Sequence, residues 1–116
     1  MAVRMTKAWV PLTPENVARL PAHLGVFELG DTDGQVIYIG CANGRTRFGL
    51  REALGDILAS ADREAIAGAT SFRVESTMAY HSRVRELLQT YLHDHGSLPM
   101  TNTGLTEANL GRINPG

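Results

Sequence analysis

The chain has 116 residues and a mass of 12.6 kDa, the size of one domain. Apolar residues make up 43% and charged residues 20%, with both signs interspersed, which excludes a disordered tail and a coiled coil and leaves enough apolar mass for a core. The net charge of −1 and pI near 6.4 exclude a strongly basic nucleic-acid coat, but the arginines are bunched, with Arg45, Arg47 and Arg51 in one stretch and Arg83 and Arg85 in another. No apolar run approaches the roughly 20 residues that span a bilayer. Met1-Ala2-Val3-Arg4-Met5 lacks the apolar stretch of a signal peptide. The lone Cys41 excludes an internal disulfide framework and a multi-cysteine zinc site. The expectation is a soluble, cytoplasmic single domain over residues 1–116, with a core at about 24–102 and a loose tail over 103–116.

Thr13 can cap a short helix opening at Pro14, and Pro21 ends it near Leu20. Leu24 to Leu29 reads as a strand, and Asp33-Gly34 is a strong hairpin turn. Gln35 to Gly40 is the returning strand, rich in β-branched and aromatic residues. Cys41 to Gly44 is a loop. From about Thr46 to Ser60 the pattern is helical, with Leu50, Leu54, Ile57 and Leu58 on one stripe. Asp62 to Ala67 suggests another short helix before Gly68. Ser71 to Ser76 alternates as a third strand. A long helix runs from about Met78 to Asp94, carries the stripe Tyr80, Val84, Leu87, Leu88 and Tyr91, and stops at Gly96. The order predicts an α+β domain with a small three-stranded, mostly antiparallel sheet flanked by helices.

The polar signals concentrate between Gly25 and Arg51. Phe27 and Tyr38 are placed to meet across the hairpin, and Arg47 comes seven residues after Gly40, at the start of a helix. A phenol beside a guanidinium at a helix start is a reasonable phosphate site, because the helix end has free N–H groups and arginine makes paired contacts to phosphate oxygens. Arg51, one turn later, can share the face of Arg47. For each of these residues the ordinary alternative is a packed aromatic or a solvated cation. Cys41 as a nucleophile would need a base, and His23 is the nearby candidate in sequence. His93 and His95 do not share a helical face, which counts against a metal site there.

This arrangement resembles the GIY-YIG nuclease family. The resemblance rests on Gly25-Val26-Phe27, the hairpin turn, Tyr38-Ile39-Gly40, Arg47-Phe48 opening a helix, then a strand, a helix, and Pro99-Met100-Thr101-Asn102. It implies a GIY-YIG-like fold and metal-dependent hydrolysis of DNA phosphodiesters. Tyr38, Arg47 and Asn102 would be catalytic, Arg45, Arg47 and Arg51 would bind nucleic acid, and Mg2+ or Mn2+ would be the cofactor. In such chemistry a phenol positions or deprotonates water, arginine stabilises phosphate charge and the metal activates an oxygen.

Several positions depart from the family's pattern. Phe27 replaces the first-motif tyrosine and brings no hydroxyl. Cys41 stands where some members have lysine, and Arg51 where histidine is common. Matching the later helix by its apolar residues puts Val84 or Arg83 at the metal-binding glutamate. Glu86 is the one acid in the helix body, and it points about 160° from Val84, towards water, where it can pair with an arginine. Glu75 is a second substitute. The active set is therefore incomplete. The alternative to a DNA endonuclease is a catalytically inactive binding or assembly module on the same fold, and a further alternative is an unrelated α+β domain.

Overall fold

The computed structural model describes residues 5–42, 48–59 and 68–99. The elements are β1 (Val10–Pro11), α1 (Pro14–Ala18), β2 (Gly25–Gly30), β3 (Val36–Ala42), α2 (Gly49–Ala59), β4 (Ser71–Ser76) and α3 (Tyr80–His95). The expected α+β class holds, but the sheet has four antiparallel strands rather than three, in the order β1-β4-β2-β3. The additional strand, β1, is two residues long and includes Pro11, too short for alternation to reveal. Its proline is tolerated because it lies on the edge of the sheet.

Local chemistry accounts for the other boundaries. Thr13 Oγ1 accepts from the Asn16 N–H and caps α1. Asp31 organises the hairpin turn, its Oδ1 accepting from the N–H groups of Asp33 and Gln35 at 2.9 Å each. Gly34 takes the left-handed conformation of that turn at φ 77°. Gly96 closes α3 at φ 76°, its N–H reaching the Leu92 carbonyl at 2.8 Å.

The sheet is covered on both faces. On one, α1 and α2 pack Val17, Leu50 and Leu54 against Phe27, Leu29, Ile37 and Phe72. On the other, α3 packs Val84, Leu87 and Leu88 against Val26 and Ile39. The pairing of β2 with β3 slips between Leu29, opposite Tyr38, and Gly30, opposite Val36. This bulge leaves Ile37 extra and turns it towards the α2 face, which Tyr38 already faces by alternation.

Helix α2 begins later than the expected Thr46. Gly49 has φ 57°, and the Leu50 N–H donates to the His23 carbonyl at 2.8 Å. This ties the start of α2 to the segment entering β2. The expected helix over 62–67 and the tail over 103–116 lie outside the described residues. No helix among the described residues is long and apolar enough to cross a membrane.

Candidate functional site

Phe27 and Tyr38 do meet across the hairpin, with ring centroids 5.9 Å apart. They are diagonal neighbours, because Phe27 pairs with Gly40 and Tyr38 with Leu29. Gly40 makes this possible. A Cβ there would lie 2.7 Å from Tyr38 Cε2 and 2.8 Å from Phe27 Cζ, so the two rings close over a position that only glycine leaves free. Phe27 is buried in the core and Tyr38 is half-buried.

Burial pushes the Tyr38 phenol above its ordinary value, and Cys41 adds to the rise. A phenol that holds its proton more tightly is a poor general base and a ready hydrogen-bond donor. Its hydroxyl takes no hydrogen bond from the described residues. Cys41 pairs with Val26 and packs on the α3 face, where burial pushes its thiol up, so it is not an activated nucleophile. His23, the base considered for it, has its Nδ1 3.5 Å from Ser76 Oγ instead.

Arg51 stands exposed in the first turn of α2, with its guanidinium 5.7 Å from the centre of the half-exposed Phe48 ring. Arg45, Arg47 and Asn102 lie outside the described residues.

Glu86 is partly exposed and pairs with an arginine. Its Oε1 accepts from Arg83 Nη1. Arg83 also donates through Nε to Glu75 Oε2 at 2.7 Å and through Nη2 to Glu75 Oε1 at 3.0 Å. The bidentate bond to Glu75, followed by the pull of both carboxylates, raises the Arg83 guanidinium further against a smaller burial effect. Helical phase predicts where a Cβ points but not where a long guanidinium reaches: Arg83 meets Glu86 one turn along α3 and Glu75 near the end of β4. Both substitute acids are thus committed to one arginine, on the face of the sheet opposite Tyr38. Among the described residues no group of three histidine, cysteine, aspartate or glutamate side chains could hold a metal ion. Glu75 and Glu86 do not fit the Mg2+ or Mn2+ that the resemblance implies, because a metal would have to displace Arg83 from both.

Sequence reasoning missed a second polar cluster. Glu28 is 4% exposed, in the middle of β2. Its Oε1 accepts from Arg73 Nε at 2.7 Å, and Arg73 Nη2 forms an ion pair with the same oxygen at 2.7 Å. Arg73 lies 4.2 Å over the Trp9 ring and donates through Nη1 to the Lys7 carbonyl at 3.3 Å. The signal was present in the strand: Glu28 shares the inward alternation of Val26, and an acid there needs a buried partner.

Burial raises the Glu28 carboxyl above its ordinary 4.5, outweighing Arg73 and the more distant Arg83, while Glu75 adds to the rise. The folded state therefore binds this proton more tightly than the unfolded chain. Stability from this group is full below the ordinary carboxylate value and is lost as pH rises through the raised one. Thermal unfolding followed from about pH 4 to pH 7 should show a flatter slope in Glu28→Gln than in the parent, and identical slopes would remove Glu28 from the titration.

The fold and these clusters define a two-faced α+β domain whose sheet separates an aromatic site beside α2 from an ion-paired face under α3. The chain belongs to the DUF7508 family, a domain of unknown function whose model matches residues 3–94. No curated protein and no solved structure matches the chain.

Proposed function

We propose that this domain is a divergent GIY-YIG-like module that contacts nucleic-acid phosphates, DNA foremost, through Tyr38, Arg47 and Arg51, and that it binds without cleaving. The element order supports the reading: an antiparallel hairpin with Phe27 and Tyr38 on it, then α2, β4 and α3. The observation that carries it is the Tyr38 hydroxyl, protonated, without a hydrogen bond to the described residues, on the sheet face that α2 covers. Such a group donates to a phosphate oxygen. Against catalysis stand the missing hydroxyl at Phe27 and the commitment of Glu75 and Glu86 to Arg83.

The test is fluorescence anisotropy on a labelled duplex, with plasmid nicking in Mg2+ or Mn2+ run in parallel. Two or three phosphate contacts predict roughly a ten- to fortyfold loss of affinity between about 50 and 200 mM salt. Tyr38→Phe should weaken binding about tenfold or more without changing the unfolding midpoint, the worth of one hydrogen bond to an anion. Arg51→Ala should weaken it and flatten the salt slope. Nicking that Arg47→Ala abolishes would replace the binding module with an endonuclease. Absence of binding at low salt would end both.

A further inference from the structure

A cavity of about 280 Å³ lies between the sheet and the C-terminal half of α3, lined by Glu28 and Arg73 on the strands and by Leu87, Thr90, Tyr91 and His95 on the helix. It lies on the α3 face, opposite Tyr38, and does not depend on the nucleic-acid reading. Its size is just below the range of roughly 300–1,000 Å³ usual for small-molecule sites. That suits a compact metabolite.

Two polar groups in its wall are incompletely satisfied, one of them a buried atom. Glu28, 4% exposed, gives both Arg73 contacts to Oε1 and leaves Oε2 without a hydrogen bond from the described residues. Thr90, 9% exposed, has a buried Oγ1 with no partner. Buried polar groups are nearly always paired, so the unmet Thr90 hydroxyl calls for a partner that the described chain does not supply, and Glu28 Oε2 in the same wall can accept a further donor. Arg73 is not available for it, being held by Glu28, the Trp9 face and the Lys7 carbonyl. The remaining wall is mixed: Val36, Leu87 and the Tyr91 ring, with the His95 ring 4.2 Å from it, are joined by Gln35 and the acidic Asp94.

We propose that this cavity binds a small organic cation, an ammonium or amidinium whose N–H groups meet Glu28 Oε2 and whose carbon body lies against Leu87 and Tyr91. An anion would be placed against the Glu28 carboxylate. A divalent metal would find too few ligands, since no three-ligand group exists among the described residues. The raised Glu28 carboxyl agrees, because Arg73 leaves that charge under-compensated and a second cation would complete the balance. Charge-assisted hydrogen bonds in a partly enclosed site are among the stronger polar contacts.

The experiment compares benzamidine with benzamide on the full chain. The two have nearly the same shape and differ in charge. Titrations followed by amide NMR and calorimetry should give a millimolar or tighter site for benzamidine, with the Glu28, Thr90 and Tyr91 amides shifting. Benzamide should bind at least about tenfold more weakly. Glu28→Gln should lose roughly tenfold or more in benzamidine affinity. Thr90→Val, which keeps the shape and removes the hydroxyl, should weaken binding while the chain stays folded. Equal binding of the two probes would overturn the proposal, because it would leave an apolar crevice without charge recognition. No shift at these amides up to about 10 mM would also overturn it, leaving ordered water as the partner of both groups.

Discussion

Gly49→Ala is expected to cost about 3 kcal/mol or more of folding stability, roughly 10–20 °C in Tm for a domain of this size. Two separate penalties meet at this residue. Its φ of 57° lies in the left-handed region, where a side chain costs about 1–2 kcal/mol. A Cβ would also sit 2.2 Å from the His23 carbonyl oxygen and 2.6 Å from its carbon. That contact is with backbone and cannot be relieved by a rotamer change. The same carbonyl accepts the Leu50 N–H that anchors α2, so relief would break the anchor. Gly34→Ala and Gly96→Ala isolate the first penalty. Both have left-handed φ, with nothing within 4 Å of the added carbon, and each should cost only about 1–2 kcal/mol. Denaturant melts of the three variants side by side give the comparison. A Gly49→Ala chain no less stable than the other two would mean that the junction of α2 with His23 is not a structural constraint.

Phe72→Ala should cost about 3–5 kcal/mol, the range for emptying a large aromatic site in a core. Phe72 is 1% exposed and is the buried residue where three strands meet, paired with Val10 of β1 on one side and Leu29 of β2 on the other. Its ring packs in the core beneath α1 and α2. Emptying that site leaves a cavity and loosens the two-residue β1, which has little else to hold it. Phe72→Leu, closer in volume, should lose less than about 1.5 kcal/mol. Met78→Ala, at a side chain 78% exposed, should stay within about 0.5 kcal/mol of the parent. Equilibrium unfolding in urea would measure all three. Equal losses at Phe72 and Met78 would contradict the core described here.

Much of the candidate site could be read before any coordinates. The hairpin, the approach of Phe27 to Tyr38, the stripe Leu50–Leu54–Ile57–Leu58, the span of β4 and the Gly96 stop of α3 all follow from alternation, helical period and turn chemistry. Those signals act over a few residues, and neighbours in the chain suffice to produce them. The role of Gly40 is intermediate: its place in Tyr38-Ile39-Gly40 is visible in sequence, but the reason for a glycine is the crossing of two rings above it.

Other features depend on partners far away in the chain. Strand β1 exists only because Val10 and Pro11 find Phe72 and Ser71. Ile37 faces α2 beside Tyr38 only because a bulge opposite Leu29 and Gly30 shifts the register of β3. Arg83 could have been solvated; Glu86 is its neighbour one turn along α3, but only the fold brings Glu75 of β4 beside it. Glu28 and Arg73 are 45 residues apart, and no local pattern pairs them. Short-range chemistry in this chain selects which segments become strands and helices. Which charges are neutralised, and which polar atoms remain unmet, is settled when the sheet closes, because burial and pairing are properties of the assembled interior.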